Sequence, residues 1–239
     1  MADRDVSTKG SVTQPSRKKA VLFELENVVF AGHQLVYQAA RTVLSKYGVD
    51  LTVPQFSRHC LGRAAETYIG VLLTDGKKQA PDKESVAHEI RKAVAAAFSD
   101  ENRKPAEAAL RLLKKLREKG LQLGALTGFD RVFADGLIAK LGPGEWGITL
   151  HSYGENGSRF PNRDDWRNLA GAMRVNPGCA CALVTTGPSC HAALAAGIAC
   201  IAVPDQLTAF QDFGGSCYIV DTPEALPAEQ ILKILEISQ

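Results

Sequence analysis

Glu24 and Glu26 are the residues whose type and spacing most directly suggest chemistry, because they close the apolar run Ala20-Val21-Leu22-Phe23 with only Leu25 between them. Residues two apart on a strand point to the same side. Two carboxylates at a strand end can therefore hold a cation, move a proton or attack an electrophile. The pattern reads like the entrance to a phosphate-and-magnesium site, except that both acids are one methylene longer than that chemistry normally uses. Later apolar runs close on Thr127-Gly128 and on Thr185-Thr186-Gly187, which offer neutral hydroxyls.

The elements that must position these groups follow from the hydrophobic pattern. Val21 to Leu25 is apolar on both faces, as expected of a strand covered by helices in a parallel sheet. From about Ala31 to Lys104 the pattern turns amphipathic and helical, through Leu35, Val36, Ala39, Ala40, Val43 and Leu44, then Tyr68, Ile69, Leu72 and Leu73, then Val86, Ile90, Val94 and Phe98. Beyond Pro105 strands and helices alternate: a helix over Ala106 to Lys119, a strand Leu121 to Leu126, and a helix around Val132 to Leu141. A strand Ile148 to His151, a helix Asp165 to Met173 and a strand Cys181 to Val184 come next. A helix Ser189 to Ala196, a strand Ala199 to Val203 and a helix Ala228 to Ile237 complete the series. This predicts an α/β protein, a doubly wound, Rossmann-like parallel sheet core with an inserted α-helical cap. The expected division is a disordered arm over 1–18, a core of 19–31 plus 105–239, and a cap of 32–104. Ligands in such sheets bind beyond the carboxyl ends of the strands, where Glu24, Glu26, Thr127 and Thr185 fall.

With 239 residues and 45% apolar content, the chain can bury one ample core and a smaller module. The net charge is +2, and the basic run Arg17-Lys18-Lys19 belongs to the polar arm, so no broad basic field points to nucleic acid. No apolar run approaches the roughly 20 residues of a membrane span, and the amino terminus lacks a signal-like apolar centre. A cytoplasmic protein with no nucleic-acid or membrane partner is expected. The six cysteines, Cys60, Cys179, Cys181, Cys190, Cys200 and Cys217, lie mostly among aliphatic residues and read as buried thiols of a reducing compartment. Cys179-Ala180-Cys181 has no second pair at zinc-site spacing.

The residues resemble the haloacid dehalogenase (HAD) superfamily, in its phosphoglycolate phosphatase and β-phosphoglucomutase-like branch with a helical cap. The resemblance covers about residues 19 to 222. Phe23-Glu24-Leu25-Glu26-Asn27-Val28 aligns without a gap to the family's Phe-Asp-Leu-Asp-Gly-Val. Leu126-Thr127-Gly128 matches the second motif, a strand ending in Thr or Ser. Phe160-Pro161 stands where the family has Lys-Pro, with Arg159 one residue earlier. Val184-Thr185-Thr186-Gly187-Pro188-Ser189 stands where an apolar strand ends in paired acids, and the Ala- and Gly-rich helix that follows is retained. Leu61-Gly62-Arg63 resembles the cap loop that gates substrate in this branch.

The resemblance implies a nucleophile at Glu24, a general acid and base at Glu26, a phosphate-binding hydroxyl at Thr127 with substrate at Gly128, and an anion contact at Arg63. It implies Mg2+ held by Glu24 and Glu26 together with acids that Thr185 and Thr186 replace, and a cation that Arg159 or Arg163 would have to supply. An extra methylene moves a carboxylate by about 1.5 Å, and a misplacement of about 1 Å can cost about a hundredfold. Asp130, Asp164, Asp165 and Asp205 are candidates to refill the metal site, with helix capping or loop structure as the plainer reading. His33 reads as a helix-start residue. Three functions follow from these features. One is a pseudoenzyme without cofactor that binds a small phosphorylated ligand or a protein partner. Another is an active Mg-dependent phosphatase of small phosphate monoesters, and the third is metal-free hydrolysis by the glutamates. Two unscreened glutamates should also repel, raising at least one pKa. Trp146, Trp166, Phe210 and Phe213 read as core or loop anchors, with an interface as the alternative.

Overall fold

The computed structural model describes residues 18–73, 82–142, 146–154 and 160–237. The expected arm lies almost wholly outside them, as does Arg159. Five strands alternate with helices as the pattern anticipates: β1 (Ala20–Glu24), β2 (Gln122–Thr127), β3 (Ile148–Ser152), β4 (Ala180–Val184) and β5 (Ala199–Ala202). A short sixth, β6 (Tyr218–Ile219), was not legible in the sequence. The sheet is six-stranded in the order β3-β2-β1-β4-β5-β6, and every pairing is parallel. β1 and β4 are buried at every position, which fits strands with helices on both faces.

Those helices are α5 (Glu107–Glu118), α6 (Arg131–Ala139) and α9 (Ala228–Ile237) on one face, and α7 (Arg163–Ala172) and α8 (Gly187–Ala195) on the other. Leu112, Leu113, Leu116, Leu137, Ile231 and Leu235 pack with Val21 and Phe23 in one cluster. Trp166, Leu169, Ala170, Cys190 and Ala193 pack with Leu22 and Ala182 in another. The alternation of β1 side chains between the two clusters is the period of a strand. Trp166 and Phe213 are buried, as core anchors should be, whereas Phe210 is exposed.

Between β1 and β2 the chain forms α1 (Gly32–Lys46), the short α2 (Val53–Gln55), α3 (Ala65–Leu72) and α4 (Lys83–Ser99). A third apolar cluster joins them, through Tyr37, Leu44, Phe56, Ile69, Val86 and Ile90. Thr52 and Gln55 form a capping box that starts α2. The two ends of this helical stretch meet where the Ala106 N–H donates to the Val29 carbonyl at 2.8 Å. Ala31, at the start of α1, is held at φ 52, a left-handed conformation uncommon outside glycine.

The first strand ends at Glu24, not Leu25, and a wide π-type turn over Leu25–Val29 carries Glu26. The two carboxylates are therefore not successive residues on one strand face. Each reaches a different neighbour of β1.

Candidate active-site cleft

β1 lies between β2 and β4, and its two neighbours end in Thr127 and in Thr185, the residue after Val184. This is the position where successive connections leave the sheet in opposite directions and a crevice opens. Glu24 reaches toward β4. The Thr185 hydroxyl donates to Glu24 Oε2, the Thr185 N–H donates to Oε1 at 3.4 Å, and Asn27 Nδ2 donates to Oε2 at 3.1 Å. Glu26 reaches toward β2, where the Thr127 hydroxyl and the Gly128 N–H, the latter at 3.1 Å, both donate to its Oε1. Each glutamate is thus held by the threonine closing an adjacent strand. The resemblance placed Thr127 and Gly128 on a phosphate, whereas their polar hydrogens are directed to Glu26.

Both acids are almost wholly buried, Glu24 at 2% and Glu26 at 7% exposure. Burial raises the Glu26 pKa from 4.5 to about 7, opposed by the hydrogen bonds from Thr127, from its own backbone N–H and from Gly128, and assisted, least of all, by the charge of Glu24. The expected rise is present, but loss of water outweighs mutual repulsion as its cause. Tyr153 lies beside them, its hydroxyl 3.1 Å from where a Gly128 Cβ would stand. Burial, then the charges of Glu26, Glu24 and Asp165, push its pKa well above the ordinary tyrosine value, so it remains a neutral phenol.

Above the carboxylates a cleft of about 560 Å³ opens between the strand ends and the helices α1, α3 and α4. Its lining is mostly apolar and includes Val36, Phe56, Ile90, Phe98, Phe129 and Phe160. Arg63 is part of that lining but exposed, and Arg91 is ion-paired to Glu66. Phe160, which the resemblance sets against a lysine, places its ring over Gly62, so an apolar contact joins the loop 61–63 to the cleft wall. Cys60 also lines the cleft, and burial pushes its thiol up to about 12, which keeps it protonated and poorly nucleophilic near neutrality.

The candidate refilling acids are engaged elsewhere. Asp130 caps α6 through the Phe133 N–H, and Asp165 closes a capping box with Asn162 while pairing with His151 at 3.2 Å. Asp164 is ion-paired to Arg163, which removes both from the carboxylate floor. Asp205 accepts from His33 Nδ1 at 3.0 Å. Burial alone would raise the Asp205 pKa, but His33, the Leu207 N–H and Thr208 hold it below the ordinary carboxylate value. His33 lies in the first turn of α1, as expected of a helix-start residue, yet it is also buried and lines the cleft.

Magnesium demands near-ideal octahedral oxygen ligation, in which one or two carboxylates with open lone pairs anchor an ion that otherwise keeps its waters. The residues present do not fit it. Glu24 Oε2 already accepts two hydrogen bonds, Thr185 is neutral, and the Thr186 hydroxyl caps α8 by accepting from the Ser189 N–H. Among the described residues no group of three or more His, Cys, Asp and Glu is placed to hold a metal ion. Replacing Thr185 with valine keeps the shape but strips Glu24 of its nearest donor. The expected cost is about 1–3 kcal/mol of stability, read by urea denaturation; an unchanged midpoint would refute the role assigned to this hydroxyl.

No protein-family model matches the chain, and no curated protein matches it. Solved structures do. A HAD family hydrolase from Deinococcus radiodurans R1, with bound phosphate and sodium, aligns at TM-score 0.73 and 19% identity, over 92% of this chain and 98% of that one. CbbY from Rhodobacter sphaeroides, as a mutant in complex with xylulose-(1,5)bisphosphate, aligns at 0.69 and 18%, over 87% and 96%. The β-phosphoglucomutase of Clostridium difficile aligns at 0.67 and 15%, over 92% and 98%. The chain therefore has the α/β fold of the HAD hydrolases; at these identities the likeness is one of fold.

Proposed function

We propose that this protein is a catalytically degenerate relative of the HAD hydrolases that acts by binding a ligand, with helices α1–α4 as the cap over the cleft. The observation that carries this reading is the fate of the two glutamates. Each is buried and tied by hydrogen bonds to the threonine of a neighbouring strand, where the related chemistry needs a free nucleophile and an open metal position. The mostly apolar cleft supports binding over phosphoryl transfer, a reaction that depends on fixed positive charge around the migrating group. A cytoplasmic setting belongs to the same reading and is supported by the buried thiols of Cys60, Cys179, Cys181, Cys190 and Cys200, which suit a reducing compartment.

Calorimetric titration with magnesium chloride tests the metal half of this proposal. No binding heat is expected up to millimolar metal. Saturable binding that disappears in Glu24→Gln would overturn the reading.

A further inference from the structure

The cleft floor has an electrostatic feature that its fold relatives' chemistry does not explain. Glu24 and Glu26 are both more than nine-tenths buried, and among the described residues no Lys, Arg or His is ion-paired to either. The hydrogen bonds from Thr127 and Gly128 both fall on Oε1 of Glu26, which lines the cleft, so an occupant of the cleft meets its carboxylate directly. Of the cations in the lining, Arg63 is exposed to solvent and Arg91 is taken by Glu66, so neither charge offsets the floor. Buried charge is screened far less than exposed charge and favours a partner of opposite sign.

The walls narrow the chemistry of that partner. Phe56, Tyr68, Phe98, Phe129, Tyr153 and Phe160 all border the cleft. Aromatic faces attract organic cations, and apolar walls bind an apolar body. A volume of about 560 Å³ falls in the range that takes a small ligand rather than a single ion. A phosphate dianion would sit against two carboxylates with no described cation between them. An ammonium group presents three donors to carboxylate acceptors.

We propose that the cleft binds a primary organic amine with an apolar, ring-sized body. Its ammonium rests on Glu24 and Glu26, and its body packs against Phe98, Phe129 and Phe160. This inference rests on the reading of the site as one without bound metal.

The test is calorimetric titration of the full chain with 2-phenylethylamine, 2-phenylethanol and 3-phenylpropionate. The amine should bind at least about tenfold more tightly than the alcohol, and the carboxylate should give no heat. In the double variant Glu24→Gln/Glu26→Gln the preference for amine over alcohol should vanish, whereas Glu107→Gln, on the exposed face of α5, should preserve it. Either single glutamine variant serves if the double variant fails to fold by circular dichroism, with a partial loss of preference expected. Equal binding of amine and alcohol to the native protein, no binding of the amine, or a preference that survives the glutamine variants would overturn the proposal. Failure of the amine to bind, with no magnesium-dependent phosphate release, overturns this inference alone. Magnesium-dependent phosphate release overturns the reading beneath it.

Discussion

Replacing Glu26 with glutamine is expected to stabilise the protein at pH 8 to 9 by on the order of 3 kcal/mol and to leave it nearly unchanged near pH 4. The Glu26 pKa is raised from 4.5 to about 7 by burial, so between those values the folded state holds a proton that the unfolded chain has released. Native stability attributable to this group is therefore fully present below about pH 4.5 and declines as the pH rises toward about 7, where it levels off. Glutamine keeps the shape of the side chain and an acceptor oxygen for Thr127 and Gly128, with no charge to bury. Subtracting the pH–stability curves of the two proteins cancels titrations common to both, including the depressed Asp82, Glu89 and Asp205. A difference that stays constant from pH 4 to 9 would contradict burial as the controlling effect.

Gly62→Ala is expected to cost about 2–4 kcal/mol, by combining a left-handed backbone with overpacking. Gly62 has φ +62, and a Cβ there would lie only 2.0 to 2.6 Å from three atoms of the Phe160 ring. That ring is the apolar bridge between the loop 61–63 and the core loop that precedes α7, so the methyl group must displace the ring and weaken the bridge. Gly120→Ala is the matched control, because Gly120 has φ +81 with nothing within 4 Å of the added carbon. It should lose only about 1 kcal/mol, the conformational part. Urea denaturation of both variants separates the two contributions. Equal losses would mean that Phe160 does not clasp this loop.

The fold was largely legible because its strands carry apolar residues on both faces and its helices follow them at short intervals. β1 and β4 could be placed within a residue of their ends by that rule alone. β6 escaped it, being two exposed residues, Tyr218 and Ile219, with neither length nor burial to betray it. The wide turn over Leu25–Val29 escaped for a different reason. Its residues continue the apolar pattern of the strand, while the backbone has already changed hydrogen-bond register.

In the cleft the positions were legible and the pairings were not. Glu24, Thr127 and Thr185 could be placed at strand ends, with Glu26 on the turn just beyond one, but Thr127 lies 101 residues from Glu26 and Thr185 lies 161 from Glu24. Which hydroxyl meets which carboxylate depends on strand order, which local pattern does not encode. The His33–Asp205 pair spans 172 residues and was missed for the same reason, since each residue has a plausible local role as helix start or loop. Tyr153 carried no motif at all, and its place beside Gly128 follows from the register that pairs Thr127 with Ser152.

The most direct measurement is phosphate release from p-nitrophenyl phosphate and a panel of sugar phosphates in magnesium, for the native protein, Glu24→Gln and the double variant Glu24→Asp/Glu26→Asp. No turnover above the Glu24→Gln background is expected for the native chain. None should return in the double aspartate variant, because neutral Thr185 and Thr186 and apolar Phe160 would still surround the carboxylates, with no further acid or lysine among the described residues to hold a metal and a phosphoryl group. Magnesium-dependent turnover by the native protein that disappears in Glu24→Gln would contradict a degenerate site and make these glutamates working catalytic groups.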